Sequence, residues 1–83
     1  MATFTYFYVL QSELDPSRFY TSCSQELRRR LIRHNRGEVT HTSKWKPWRI
    51  KIYIAFSNRD RARTLENYLK PSSGRALLKN AYR

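Results

Sequence analysis

The sequence lacks the residues that build disulfide frameworks, multi-cysteine zinc sites and membrane spans. Its single cysteine, Cys23, excludes an internal disulfide and any zinc site made of several cysteines. No apolar run approaches the roughly 20 residues that a transmembrane helix needs. The first residues show no basic segment ahead of an apolar core, so we expect no signal peptide. These absences predict a cytoplasmic protein in a reducing compartment, with no membrane partner.

Acidic residues are also scarce. Seventeen Lys and Arg stand against six Asp and Glu, giving a formal net charge of +11. Most of the basic residues are arginines, whose planar guanidinium group pairs with phosphate through two parallel hydrogen bonds. None of the basic residues lies in the segment 1–17. This surplus predicts a polyanionic partner, nucleic acid above all, and a solvated basic surface that keeps the protein soluble is the alternative.

The length and the hydrophobic patterns predict a small α+β fold. Eighty-three residues suffice for one domain, and we expect residues 1–83 to form it. Apolar and polar residues alternate in strand segments and recur every three to four residues in helical ones. The predicted order is ββαβαα, a three-stranded sheet flanked by helices. The predicted strands are Phe4–Leu10, Arg18–Thr21 and Arg49–Phe56, and the predicted helices span about 24–35, 57–70 and 72–81.

The first predicted helix carries a cluster of arginines and is bounded by capping residues. Ser22 or Ser24 is suited to accept a hydrogen bond from a free amide at its start, and Gly37 to end it in a left-handed conformation. Arg30 and His34 are four residues apart and therefore share a face. An arginine and a histidine beside the edge of the core are candidates for a functional site.

One acid stands out among the six. In the second predicted helix the buried stripe is Ala62, Leu65 and Leu69, and Glu66 lies at its edge. A carboxylate so close to a core is unfavourable unless it pairs with a cation. The sequence leaves two partners open, an arginine in a salt bridge or a single Mg²⁺ that also takes phosphate oxygens from a substrate.

Several segments in order resemble the GIY-YIG nuclease family, in particular its small stand-alone members that are similar to excision-repair nucleases. The first two are Tyr6-Phe-Tyr-Val-Leu10 and Phe19-Tyr-Thr-Ser-Cys-Ser24, followed by the arginine helix to Gly37. The match continues through 44–50, 61–70 and 74–80. The resemblance implies a three-stranded antiparallel sheet flanked by helices. It also implies cleavage of a DNA phosphodiester, in duplex or branched DNA, with Mg²⁺ or Mn²⁺ as cofactor.

The resemblance assigns roles by position. It implies that Glu66 holds the metal ion and that Arg30 contacts the scissile phosphate. It places Asn80 where the family often has a late asparagine. The other implied catalytic residues are Tyr8, Tyr20, His34 and His41.

The glycines of the two family motifs are replaced in this chain. Tyr6 stands in the first motif and Ser22 in the second. Glycine lets the backbone turn tightly, and serine adds a Cβ that narrows the space beside a substrate. Both substitutions leave every implied catalytic side chain in place.

Three functions are consistent with these patterns. The first is a metal-dependent DNA endonuclease, which we expect to be a monomer, with or without a larger protein partner. The second is a non-catalytic module that binds nucleic acid with its basic face and stacks Trp45 and Trp48 on bases. The third is a basic adaptor for proteins. The residues predicted to contact nucleic acid are Arg28, Arg29, Arg33, Lys44, Trp45 and Lys46.

Overall fold

The computed structural model describes residues 3–69, which form three strands and two helices. A short 3₁₀ turn, Ser43–Trp45, precedes the third strand. The elements are β1 (Thr5–Ser12), β2 (Phe19–Ser24), α1 (Leu27–Asn35), β3 (Trp48–Phe56) and α2 (Arg59–Leu69). The predicted α+β fold is confirmed, and the helix predicted at 72–81 lies outside the described residues. Neither α1 nor α2 is long and apolar enough to cross a membrane.

The strand β1 lies in the middle of an antiparallel sheet with the order β2-β1-β3. Both of its faces are apolar, and successive side chains therefore enter two different cores. Phe7 and Val9 pack with Leu69 of α2, while Tyr8 and Leu10 pack against the leucines of α1. Burying each of these side chains contributes roughly 1.5–3 kcal/mol. The two helices consequently cover opposite faces of the sheet.

A register shift in the pairing of β1 with β3 changes which residues share a face. The irregularity falls between Val9 and Leu10. Ile50 pairs with Leu10 and packs in the core beside α1, whereas Phe56 packs in the core beside α2. Apolar residues at every second position from Ile50 to Phe56 predict that these two side chains share a face, and that prediction is wrong. An extra residue on one strand moves every later side chain to the other face.

The start of α1 differs from the sequence prediction, and its end agrees with it. The strand β2 extends to Ser24, so Ser22 is committed to pairing with Tyr8 and cannot cap a helix. The Ser24 hydroxyl accepts a hydrogen bond from the Glu26 amide at 3.0 Å, just before the helix begins. Gly37 follows the helix with a φ of +77°, the left-handed conformation that only glycine adopts without strain.

The helix α2 begins two residues later than the sequence predicts. Asn58 caps it, because the Asn58 Oδ1 accepts hydrogen bonds from two backbone amides of the first turn, at 2.8 and 3.3 Å. The predicted apolar stripe is confirmed. Ala62 and Leu69 are buried, and Leu65 packs against the core between them.

A side chain ties the end of α1 to the start of β3. The Asn35 amide donates to the carbonyl of Trp48 at 3.0 Å and accepts from the amide of Trp48. The indole N–H of Trp48 donates to the carbonyl of Thr42 at 2.8 Å. These bonds fix the loop of residues 37–47 against the sheet.

Candidate active site

The face of the sheet beside α1 gathers four of the sequence-predicted site residues. Tyr8 on β1 and Tyr20 on β2 belong to the core on this face. The Tyr8 hydroxyl oxygen lies 3.2 Å from the His34 Nε2, and the rings of Tyr20 and His34 are 5.1 Å apart. Arg30 lies one helical turn before His34 and beside the Tyr8 hydroxyl. Two strands and one helix thus assemble a cluster of two phenols, an imidazole and a guanidinium group.

We assign the proton of the neutral His34 ring from its hydrogen-bond partners. The Thr42 hydroxyl donates to the Val39 carbonyl at 3.3 Å. With its one hydrogen used, the Thr42 oxygen accepts from His34 Nδ1, which lies 2.8 Å away. The Nε2 atom therefore has no hydrogen and accepts from the Tyr8 hydroxyl. The chain of donors runs from Tyr8 through His34 and Thr42 to the backbone.

Burial keeps the rings of Tyr8 and His34 uncharged. His34 is fully buried, and burial together with the positive charges of Arg30 and Arg33 lowers the pKa of His34 to about 4. Burial raises the pKa of Tyr8 above its usual value, an effect that the neighbouring Arg30 partly opposes. At neutral pH His34 is thus a neutral acceptor and Tyr8 a neutral donor.

Arg30 is equipped to receive an anion. Its Nε atom is buried and has no hydrogen-bond partner. A buried donor without a partner costs roughly 1–3 kcal/mol, and more in a charged group. A phosphate oxygen placed beside this guanidinium group satisfies the donor and the charge together.

The two tyrosines differ in their access to solvent. Tyr8 has no exposed surface, and its hydroxyl is already engaged by His34. Tyr20 is only partly buried.

Ser22, at the position of the second motif's glycine, lies in a paired strand, and no described residue other than glycine has a positive φ. Serine therefore causes no backbone strain there.

Glu66 and His41 belong to other elements than the strands and helix that carry the cluster. Glu66 is half-buried on α2, the helix on the opposite face of the sheet, and it has an interaction partner of its own. His41 is exposed in the loop, and among residues 3–69 no hydrogen bond or ring contact joins it to Tyr8, Tyr20 or Arg30. Asn80 lies outside the described residues.

The donor set bears on which metal ion the protein can hold. Within residues 3–69, no three or more His, Cys, Asp or Glu side chains are placed to hold one metal ion together, so this part of the chain offers no closed zinc site. Mg²⁺ is commonly held by one or two carboxylates, several waters and substrate phosphate oxygens. A single carboxylate such as Glu66 fits an ion of that kind, which substrate completes.

The residues predicted to bind nucleic acid fall into two groups. The exposed basic side chains are those of Arg28, Arg29, Arg33, Lys44 and Lys46. Trp45 is half-buried, and the Arg18 guanidinium carbon lies 3.6 Å from the centre of its ring. Trp48 is 4% exposed and belongs to the core. The hypothesis that Trp48 stacks on bases is therefore wrong.

Sequence reasoning missed Thr42. This residue is 1% exposed and holds the imidazole of His34 in one tautomer. A threonine in an irregular loop carries no periodic or motif signal, so only the fold reveals its contact with His34.

The sequence also matches a known protein family. Residues 4–81 match the model of the GIY-YIG catalytic domain. The chain therefore belongs to the GIY-YIG family, a family of nuclease type. No curated protein and no solved structure matches the chain.

Proposed function

We propose that this protein is a metal-dependent DNA endonuclease that hydrolyses a phosphodiester at the cluster of Tyr8, Tyr20, Arg30 and His34. The observation that carries the proposal is the buried Arg30 Nε without a partner, beside a tyrosine whose proton is held by a neutral histidine. Such a pre-arranged cationic donor stabilises the charge that develops on a phosphate in the transition state. Membership of the GIY-YIG family supports the same reaction.

The chain's own groups divide the work by their accessibility. Tyr20, partly exposed, contacts the attacking water and, after releasing its phenol proton to solvent, accepts a proton from that water. The water oxygen bonds to phosphorus, the bond from phosphorus to the leaving sugar oxygen breaks, and a solvent water protonates the leaving oxygen. Tyr8 and His34 are both buried, and they position Tyr20 and Arg30 from the core side of the cluster. Arg30 binds the phosphate oxygens as negative charge accumulates on them. His41, exposed in the loop, is available as an assisting base.

Glu66 is the residue that we assign to the cofactor. When bound, Mg²⁺ or Mn²⁺ neutralises charge on the scissile phosphate. The fit rests on chemistry, because one carboxylate oxygen donor with substrate and water is a usual environment for Mg²⁺.

The partner that this site and charge suit is DNA, duplex or branched. The surplus of eleven positive charges favours binding through backbone phosphates. A role in DNA repair in the cytoplasm, as a monomer, is consistent with the resemblance to excision-repair nucleases.

A non-catalytic module that binds DNA is the second candidate. It is favoured by the burial of Tyr8, since a fully buried phenol cannot itself contact a substrate. Both candidates predict binding that weakens with salt, so binding alone does not separate them.

Plasmid nicking separates the two candidates. We expect wild-type protein to nick supercoiled DNA with Mg²⁺ or Mn²⁺ and to stop when EDTA removes the ion. Glu66→Ala should reduce nicking by at least about a hundredfold, the scale seen when one charge-stabilising group is removed. Circular dichroism should show that the variant remains folded.

Glu13→Ala is the matched control, because it removes the same charge from an exposed turn. It should nick at the wild-type rate. Undiminished metal-dependent cleavage by the folded Glu66→Ala variant would contradict the assignment of Glu66. Binding without nicking by the wild type, in both metals, would favour the non-catalytic module.

A further inference from the structure

A groove of about 460 Å³ lies beside β2, and its lining residues come from both helices. One wall carries three arginines of α1 and the other carries Arg59 and Arg63 of α2. The described residues at its base include Thr5, Cys23 and Ser24. Arg59 and Arg63 are four residues apart, so they stand about 6 Å apart along one side of the helix. Five guanidinium groups thus converge on one groove.

Few carboxylates balance these charges. Arg29 pairs with Glu26 at 3.0 Å, and Arg33 with Glu38 at 3.6 Å. The other three arginines of the groove have no carboxylate within ion-pair distance among residues 3–69. They are Arg30, Arg59 and Arg63. Gathering like charges in this way is unfavourable unless an anion enters the groove.

The lining indicates what kind of anion fits. No aromatic or large apolar side chain is found among its described lining residues, so nothing there stacks on a base or buries a small organic ligand. The groove also includes Arg30, whose Nε lacks a partner. A chain of phosphates that passes from Arg30 toward α2 matches both features.

We infer that Arg59 and Arg63 bind the backbone of the DNA substrate beside the scissile phosphate, in a groove shared by α1 and α2. The inference rests on the proposed function for its partner, DNA. Binding here is independent of sequence because only phosphates are contacted. Arg59 and Arg63 lie on α2, the helix that carries Glu66. Their contacts with the phosphates therefore also hold α2 against the substrate strand.

Salt-dependent binding tests this inference without requiring cleavage. Binding of a short fluorescent DNA duplex is measured in EDTA over a series of salt concentrations. Removing one arginine that neutralises a phosphate should make the slope of log K against log salt shallower by about 0.9. We expect a change of about 0.9 for Arg63→Gln and about 1.8 for Arg59→Gln/Arg63→Gln.

Arg61→Gln provides the matched control. Arg61 lies on the same helix and carries the same charge, but it lines a different surface with Phe56 and Leu65. Its slope should remain that of the wild type. Equal slope changes in Arg61→Gln and Arg63→Gln would overturn the inference, since general charge alone then explains binding.

The remaining outcomes separate this inference from the proposed function. If the slopes change as expected but wild-type protein never nicks DNA, the groove is supported and the nuclease proposal fails. If wild-type protein nicks DNA but the double variant keeps its slope, the groove fails and the nuclease proposal stands. Absence of DNA binding by wild-type protein at low salt overturns both.

Discussion

The two faces of the sheet are built on different principles. The face beside α2 has a mainly apolar core, built on Phe7, Val9 and Leu69. The face beside α1 contains Tyr8 and His34, which are equally buried but polar and joined by a hydrogen bond. An apolar core tolerates exchange of one side chain for another of similar size, whereas a buried polar chain depends on every member. The difference separates a face that supports the fold from the face at which we propose that the reaction takes place.

The buried polar face beside α1 should make the stability of the protein sensitive to acid, and this is the largest effect that we expect. In the folded protein the pKa of His34 is about 4, so the ring stays neutral down to that pH. In the unfolded chain its pKa is close to the ordinary value of 6.5. The unfolded state binds more protons between these values, so stability falls as pH falls from 6.5 toward 4. The loss should be on the order of 3 kcal/mol. Urea unfolding at pH 7 and pH 4.5 measures it.

Histidine variants identify the source of this pH dependence. His34→Gln should lose most of the difference between the two pH values, and His41→Gln, changed at an exposed site, should keep it. An unchanged pH dependence in His34→Gln would show that other groups cause the acid sensitivity. Direct titration of the His34 ring by NMR in wild-type protein gives the same answer without a substitution.

A cavity on the other face should affect stability alone. Val9 is fully buried beside α2, and Val9→Ala should lower the free energy of unfolding by about 2 kcal/mol. The nicking rate per folded molecule should stay at the wild-type value. Ile32→Ala, at a position 51% exposed, should change stability by less than about 0.5 kcal/mol. A parallel loss of nicking in folded Val9→Ala would mean that the two faces are not separable.

The smallest expected effect concerns Thr42. Thr42→Val keeps the shape and removes the acceptor of the His34 Nδ1–H, which should cost about 1–2 kcal/mol of stability. His34 should then carry its proton on Nε2 and donate to Tyr8, a tautomer change that ¹⁵N NMR detects. Thr42→Ser restores the acceptor and should restore the wild-type tautomer. Retention of the Nδ1–H tautomer in Thr42→Val would contradict the hydrogen-bond directions given above.

Local patterns in the sequence were sufficient for much of the fold. The aromatic and β-branched run around Tyr8 predicts a strand, Gly37 predicts the end of α1, and both predictions are confirmed. The register shift next to Ile50 was missed because it arises from pairing between strands rather than from either strand alone. The predicted cap at Ser22 is wrong for the same reason, since Ser22 pairs with Tyr8 inside the sheet.

The candidate site was predictable where family motifs cover it. Tyr8, Tyr20, Arg30 and His34 were all named from the sequence, and the fold gathers the four on one face. Neither the burial of Tyr8 nor the tautomer of His34 follows from a motif, because both depend on which loop closes over the ring. Their roles in catalysis, and that of Glu66, stay predictions.

The hydrogen bonds of Asn35 affect whether copies of this protein can associate through the edge of β3. A residue's N–H and C=O point to the same side of a strand, and Asn35 engages both groups of Trp48. Its amide occupies the place that the backbone of a fourth strand would take at the open edge of β3. Exposed edges are where sheets recruit further strands and begin to aggregate. One asparagine thus closes the start of that edge to strand addition and helps to keep neighbouring molecules apart.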